Sequence, residues 1–463
     1  MSKNITSKIQ NQLVNMDTQK IKIGEYIIIQ RQNYKKLHKF NKGTSSVVMG
    51  KDNVELTGVE GCPFNTVFKM IPKNVKSKIY TLESTKEAVG IKEEIDIKGS
   101  GTDNRNILDD GRSQKLTAAE IEELKTDTSS PSDIVGTLIS NSNTFHSKTE
   151  YSQDKYLKKK ESKYFKYIQV RKPNLRLITE IMYKLDPGKI QGIRIDTLSQ
   201  IITLSNIQSN GNHLLYDSGS NGLLAAALLS VIGGNTKGRL VHMHPGNMSQ
   251  KQALLAMNFE KEQFSRCVSV NIYSALRQFY QGCDLHKESE ESQDTLKVDN
   301  GNEQKHDNKR KAEPTNEPEA KIPKLDIQNE KDSKNGNIEN EEENNCIAYS
   351  EPKKPKWHFD NIAAAEILTE KMDSLVIACK EDPANIFNEL NQFMKPGRPF
   401  VIYYNVAEPL QQLYINLKSQ PNVAGLKLTF NWMRNYQVLT ERTHPEVMMN
   451  NSGGFLLSGY VLK

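Results

Sequence analysis

The sequence predicts an α/β chain with an all-β beginning and an open, parallel, doubly wound sheet at its end. Three observations carry that expectation. Short β-type runs broken by turn residues follow one another between residues 21 and 71, the spacing of a small barrel or sandwich. From His213 onward strand-like and helix-like runs alternate, the pattern of a parallel sheet with helices on both faces. Between residues 284 and 356 the composition shifts to Glu, Asn, Lys and Ser without Phe or Trp. Such a segment buries too little apolar area to offset its chain entropy, so it is expected to be a disordered insertion.

Taken in order, residues 1–20 form a polar, flexible leader. Strands are expected at Gly24–Gln30, Ser46–Met49, Gly58–Phe64 and Val67–Met70, which together make a β-barrel-like domain over 21–71. Residues 72–200 read as a connector of loops and helices. Its first part, to Lys115, is polar and glycine-containing. Thr117 and Glu120 then form a capping box that opens a helix over Ala118–Lys125, and a second helical region runs from Ser132 to about Tyr167. The Rossmann-like domain occupies 201–283 and 357–463. Its elements are strand His213–Asp217, helix Leu223–Ile232, strand Arg239–His244, helix Ser249–Phe259 and strand Cys267–Asn271. After the insertion come helix Phe359–Met372, strand Ser374–Cys379, helix Pro383–Met394, strand Pro399–Tyr404 and helix Pro409–Leu417. Leu426–Trp432 and Phe455–Leu462 close the sheet as an antiparallel pair.

The formal charge of +6 is unevenly spread. The insertion carries 13 Lys and Arg against 19 Asp and Glu, which leaves 49 against 37 in the foldable remainder. A basic folded surface with an acidic tether suits a polyanion partner. Five cysteines, Cys62, Cys267, Cys283, Cys346 and Cys379, have no CxxC spacing, which argues against a zinc site or a disulfide framework and for a reducing compartment. The most apolar run, Leu223–Ile232, falls well short of the ~20 residues that span a bilayer, so a soluble protein without membrane attachment is expected.

Asp217-Ser218-Gly219-Ser220-Asn221-Gly222 has the form of a nucleotide-binding strand-to-helix turn with its glycines eroded. Gly219 keeps the first slot, while Asn221 and Leu223 stand in the other two. Asn tolerates a left-handed backbone, but Leu223 is expected to put a branched side chain against the flank of any cofactor. An S-adenosylmethionine site would also want an acid after the second strand and, for a base nitrogen, an Asp after the fourth. Those positions read His244 and Ala378-Cys379-Lys380. Three features of a working site are missing together, so no catalytic and no cofactor-binding residue is expected. His242 and His244 share a strand face, but without a third ligand they do not make a metal site.

Other segments carry binding chemistry. Lysines and tyrosines interleave along Lys148–Tyr167, which suits phosphate contacts with stacking on unpaired bases. The same pattern also fits a solvated amphipathic helix whose tyrosines pack inward. Gly101–Gln114 is dense in donors and acceptors, with Arg105 and Arg112 suited to phosphate and Asn104 or Asn106 to base edges or a 2′-hydroxyl, although polar loops are often no more than that. Asp186-Pro187-Gly188-Lys189 is a turn that could face a phosphate or simply reverse the chain. In the insertion, Lys309–Lys311 and Lys321–Lys324 have the form of a two-part nuclear import signal, so a nuclear location is expected.

Several ordered blocks carry a family resemblance: Gly101–Asn106 through Ser113–Thr117; Lys148–Glu150 through Asp154–Tyr156 and Lys158–Lys160; Pro187–Ile190 with Asp196–Leu198; Arg434–Leu439; and Ser452–Gly459. Together they resemble the non-catalytic, RNA-binding subunit of the eukaryotic tRNA (adenine(58)-N(1))-methyltransferase. The resemblance implies a β-barrel-like N-terminal domain and a class I methyltransferase-type C-terminal domain that binds no cofactor. S-adenosylmethionine would be used by a catalytic partner subunit, in a complex of two plus two chains that acts on tRNA. It also implies RNA-binding roles for Asn104, Arg105, Asn106, Asp109, Arg112 and Gln114, for Lys155, Tyr156, Lys158, Lys159, Lys160, Lys163 and Tyr164, and for Pro187, Gly188, Lys189 and Gln191. Two other readings stay open on the residues: an active RNA methyltransferase with an atypical cofactor site, and an RNA-binding scaffold unrelated to methylation.

Overall fold

The computed structural model describes residues 20–74, 78–85, 99–105, 107, 113–127, 131–282, 355–439 and 442–462. The leader up to residue 19, the insertion from 284 to 354 with its two basic clusters, and Asn106, Asp109 and Arg112 lie outside those residues. Met1–Gln281 and Lys356–Lys463 form one compact unit, distinct from Gly282–Pro355.

The N-terminal sheet has seven strands: β1 (Tyr26–Arg31), β2 (Tyr34–Lys39), β3 (Ser46–Met49), β4 (Asp52–Glu55), β5 (Val67–Pro72), β6 (Ile79–Thr85) and β7 (Tyr167–Arg171). Their order is β2-β1-β7-β5-β6-β4-β3. Lys36 on edge strand β2 donates from Nζ to the carbonyl of Val48 on the opposite edge β3 at 3.0 Å, so the sheet curls until its edges nearly meet. Alternate residues such as Ile27, Ile29, Val47, Met49, Phe68, Met70, Ile168 and Val170 point inward and fill the barrel.

Three sequence expectations change here. Gly58–Phe64 is not a strand: Gly58 and Gly61 sit at φ +84° and +76°, and the chain turns twice to pair Gly61 with Ile21 instead. The sheet also extends beyond residue 71, because β6 and β7 complete it. Finally, the helical region after Ser132 is two helices and a strand. The connector runs α1 (Ala118–Asp127), α2 (Pro131–Ser140), α3 (Glu150–Tyr164), then β7, then α4 (Leu175–Leu185) and α5 (Ile195–Ser205). Between α2 and α3 the Asn, Ser and Thr side chains compete for backbone groups, as where Asn141 Nδ2 donates to the Thr137 carbonyl at 2.9 Å.

The C-terminal sheet is built from β8 (Asn212–Asp217), α6 (Leu223–Ile232), β9 (Arg239–His244), α7 (Gln252–Ala256), α8 (Lys261–Ser265), β10 (Cys267–Asn271) and α9 (Ile272–Gln281). It continues through α10 (Lys356–Thr369), β11 (Ser374–Ala378), α11 (Pro383–Leu390), β12 (Arg398–Tyr404), α12 (Glu408–Lys418), β13 (Val423–Trp432), the short pair β14 (Tyr436–Gln437) and β15 (His444–Pro445), and β16 (Ser452–Val461). The order β10-β9-β8-β11-β12-β16-β13 is parallel as far as β12, and β16 and β13 add antiparallel, as expected. Every residue of β8 and β11 is buried because helices cover both faces. The chain order reverses between β8 and β11, so their C-terminal ends form the crevice where such sheets bind ligands.

Two polar clamps join these parts. Asn258, at φ +51°, accepts from the Tyr26 backbone N–H and donates to the Tyr26 carbonyl, both at 2.8 Å, and so pairs with β1 as a strand would. That reversal shortens the expected helix 249–259 to α7. In the second clamp, Arg194, 3% exposed, forms a bidentate pair with Asp196 at 2.9 and 2.7 Å, while its third nitrogen donates to the carbonyls of Asn450 and Asn451 at 3.1 and 2.9 Å. The guanidinium thereby fixes the far end of the β14–β15 excursion to α5. Burial works against the Asp196 charge, but Arg194 more than offsets it and holds the carboxyl below its usual range.

Arg194→Ala should therefore destabilise the protein by ~2–3 kcal/mol, less than the ~3–5 kcal/mol of a fully buried pair because the Asp196 side chain stays 23% exposed. A depressed carboxylate stabilises above its unfolded pKa and loses that contribution as pH falls through the folded value. The urea-midpoint gap between wild type and variant should therefore narrow below about pH 4, and a gap independent of pH would show that the ion pair is not its source.

Candidate functional site

Asp217 ends β8 and is 5% exposed. Its Oδ1 accepts from the backbone N–H of Gly219 at 3.0 Å and of Ser220 at 2.7 Å, and its Oδ2 accepts from the Ser220 hydroxyl. The acid thus holds the turn itself. Asn221 and Gly222 follow at φ +57° and +77°, so the eroded motif keeps the left-handed reversal that its glycines would have given. Leu223, expected to intrude on a ligand, is fully buried at the start of α6 and packs into the core on one face of the sheet. It blocks nothing.

What closes the crevice is the chain's own surroundings. A Cβ on Gly222 would stand 2.8 Å from the Gln250 carbonyl oxygen, because the loop after β9 lies directly on the turn. That loop is tied down by Asn221 Nδ2 donating to Gln252 Oε1 at 2.7 Å and by Ala253 N–H donating to the Asn221 carbonyl at 3.1 Å. Over Gly219, a Cβ would meet Lys380 Cε at 2.8 Å and Gln191 Nε2 at 3.3 Å. Lys380 follows β11 and is positioned by its N–H donating to Ser218 Oγ at 2.8 Å. The space left is a cavity of about 180 Å³ lined by Asp217, Ser218, Gly219, His242, His244, Pro245, Gly246, Met248 and Gln250. Ligand sites for molecules of cofactor size run to roughly 300–1,000 Å³.

His244 stands where an acid would hold ribose hydroxyls, and β11 ends at Ala378, whose carbonyl accepts from Ser218 N–H at 3.1 Å. His242 lies 3.9 Å from Asp217 Oδ2. Burial pushes its imidazole down to about 4 against the opposing pull of Asp217, so it is neutral near pH 7. Among the described residues no three His, Cys, Asp or Glu side chains converge as metal ligands.

The second candidate site is the surface around α3. Gln153, Asp154 and Leu157 are buried, while Lys155, Lys158, Lys159 and Lys163 are exposed. The inward packing expected of an amphipathic helix is present. The tyrosines pack inward: Tyr156 meets Phe145 edge-on at 5.3 Å between ring centroids, and both Tyr156 and Tyr164 lie against the small core of Val135, Ile139, Phe145, Leu157 and Phe165. Burial raises the Tyr156 hydroxyl to about 12. Lys160 lies over both rings at 5.0 and 5.9 Å, and burial lowers its pKa. Lys158 pairs with Asp154 at 2.8 Å. The exposed cationic row is therefore Lys155, Lys159 and Lys163, of which Lys163 lies over the Tyr164 ring at 5.3 Å, and Tyr156 packs against the small core.

Asn104 is structural as well. Its Oδ1 accepts from Thr149 N–H at 2.9 Å and its Nδ2 donates to Thr149 Oγ1 at 3.1 Å and Ser152 Oγ at 2.6 Å, so a distant loop caps α3, whose own Thr149 provides no side-chain cap. A Cβ on Gly101 would lie 2.0 Å from the Ser147 carbonyl oxygen, so only glycine lets this loop reach the helix. Arg105 pairs with neighbouring Asp103 and projects with its side chain 89% exposed. Gln114 is half-buried and bridges to Ser142. Arg442, on the β14–β15 excursion, lies over the Tyr151 ring at 5.7 Å and extends this surface. Nothing local in the sequence signalled it, since the contact is made only through the tertiary fold.

The turn after α4 divides in two. Pro187, Gly188 and Lys189 are exposed, with Asp186 Oδ1 accepting from Gly188 N–H at 3.0 Å and Lys189 Nζ 3.7 Å from Asp186. Gln191 is 3% exposed and faces Ser218 in the crevice, so it is not a surface contact.

Residues 20–326 match the Gcd10p family. The chain is 34% identical over 375 residues to the mouse (Mus musculus) tRNA (adenine(58)-N(1))-methyltransferase non-catalytic subunit TRM6, covering 79% of this chain and 75% of that one. It is 27% identical to the Dictyostelium discoideum protein of the same description, covering 95% and 79%. Among solved structures it is similar to the tRNA (m1A58) methyltransferase TrmI from Aquifex aeolicus at a TM-score of 0.42 and 13% identity, with coverage of 96% and 100%.

Loss of the remote cap should loosen α3. Asn104→Ala is expected to destabilise the helix by ~1 kcal/mol, a usual figure for a lost cap, and to speed amide exchange over 149–153 while leaving β8 and β11 protected. Unchanged exchange at the start of α3 would refute the capping role.

Proposed function

The chain belongs to the Gcd10p family, and from that we propose that it is the non-catalytic, tRNA-binding subunit of the complex that forms N1-methyladenosine at position 58 in the tRNA T-loop. The observation that carries this reading is the filled crevice. Lys380 and Gln191 occupy the space over Gly219, the loop at Gln250 lies on Gly222, and the remaining cavity of about 180 Å³ is small for a nucleoside cofactor. S-adenosylmethionine is then bound and used by the catalytic partner, and two copies of each chain make the working complex.

This chain's part is to grip tRNA. Lys155, Lys159 and Lys163 line one exposed flank of α3, Arg105 projects from the loop that caps it, and Lys189 stands on the turn after α4. Point cations of this kind neutralise phosphates and release counterions, which gives affinity without regard to sequence. Specificity for one adenosine then belongs to the partner's active site and to the shape of the T-loop held against it.

Two measurements test the reading. Calorimetric titration of the purified chain with S-adenosylmethionine should show no stoichiometric binding, and methyl transfer to tRNA should appear only when the catalytic subunit is added; saturable binding together with activity of this chain alone would overturn it. Lys155→Glu with Lys159→Glu should weaken tRNA binding by the assembled complex and lower the slope of log K against log salt by ~1 for each lysine that meets a phosphate. An unaltered slope would remove α3 from the interface.

A further inference from the structure

One of the residues that lie over the turn, Gln191, comes from a short segment that also carries an exposed lysine. From Asp186 to Gly192 the chain leaves α4, makes a single 3-10 turn over Pro187–Ile190, and enters α5. Its first half faces solvent, with the Lys189 side chain 75% exposed. Its second half is pinned: Ile190 and Ile193 are fully buried beneath it, and Gln191 between them adopts φ +53°. A non-glycine residue is held left-handed only where its surroundings compensate the cost.

Those surroundings are the ends of the strands that would otherwise face a cofactor. The Tyr403 hydroxyl, at the end of β12, donates to the Gln191 carbonyl at 2.8 Å. Gln191 Nε2 reaches the Ala378 carbonyl at 3.4 Å and Ser218 Oγ at 3.5 Å. Gly192 follows at φ +69°, where a Cβ would stand 3.3 Å from Asn405 Oδ1. The connector thus rests in the crevice by a buried amide, much as a ligand would.

We propose that the eroded cofactor turn now serves as the seat for this connector, with Gln191, Ser218 and Tyr403 as positioning residues that hold Lys189 at a fixed place on the tRNA-binding surface. The inference rests on the reading of this chain as the tRNA-binding subunit. It explains why Asp217 and Gly219 keep the geometry of a ligand site after the ligand has gone: the turn must still receive a guest, and the guest is the chain's own amide.

The test is a double-mutant cycle on tRNA binding by the intact complex with its catalytic subunit, read as affinity and as salt slope. Lys189→Ala should weaken binding and lower the slope by ~1, as loss of one phosphate contact does. Gln191→Ala should lower the slope likewise, and the two together should lose no more than Lys189→Ala alone, because both remove one contact. Tyr403→Phe, which keeps the core volume, should give a smaller loss of the same kind and is the measure to use if Gln191→Ala fails to assemble. If Lys189→Ala acts but Gln191→Ala and Tyr403→Phe do not, or if the losses add, the positioning role is overturned while the tRNA-binding reading stands. A silent Lys189→Ala beside an effective change on α3 likewise removes this inference alone, and silence at both sites removes the reading with it.

Discussion

One buried carboxylate organises the C-terminal half of this molecule. Asp217 is nearly sealed from water, and its buried oxygens are satisfied by two backbone N–H groups and a hydroxyl that turn toward them. Meeting those donors forces the chain to reverse within Ser218–Gly222. The reversal in turn aims α6 back along the sheet, where eight of its ten residues are buried and none is charged. Ser218 is left facing Lys380 and Gln191, and Gly222 is left bare enough for the Gln250 backbone to settle on it. A defect at Asp217 would therefore disturb the helix, the loop after β9 and the connector before α5 together.

The same geometry shows which erosions of a binding turn matter. Substituting glycines does not by itself close a site. Asn221 supplies the left-handed backbone at φ +57°, and Leu223 hides its side chain in the core. The crevice is narrowed from above, by a lysine and a glutamine from neighbouring elements and by the loop after β9, and a glycine at 221 would remove the Asn221 tie to Gln252 but leave Lys380 and Gln191 in place.

Legibility in the sequence followed how far each feature depends on neighbours in the chain. Strands β8, β9, β10, β11 and β12 are short apolar runs bounded by turns and could be read directly, since a parallel sheet covered on both faces demands them. The turn at Asp217 was legible for the same reason. Strand β2, Tyr-Lys-Lys-Leu-His-Lys, was not, because an edge strand is protected from further pairing by the charges that make it look like a loop. Gly58–Phe64 misled in the opposite sense: its residues suit a strand, but two glycines at positive φ turn the chain back on Ile21. At the candidate surface the lysine-rich helix was legible, whereas the packing of Tyr156 on Phe145 and the contacts of Asn104 with Thr149 depend on the fold. Gln191 is singled out only through the resemblance and as an RNA contact, and its buried partners, like the place of Arg442, could not be read because each partner is far away in sequence.

The inward tyrosines also explain how a helix so rich in lysine is ordered at all. Along Lys155–Lys163 like charges repel at helical spacing, and the segment has little apolar surface of its own. Three arrangements offset this. Asp154, buried below the row, neutralises Lys158; the Tyr156 and Tyr164 rings take the Lys160 ammonium on their faces; and Asn104, from a separate loop, accepts from the Thr149 N–H at the helix start. Lys163 also lies over the Tyr164 ring, whereas Lys155 and Lys159 take no part in these arrangements and point at solvent. Their repulsion persists in the free protein, and a polyanion placed against them would relieve it.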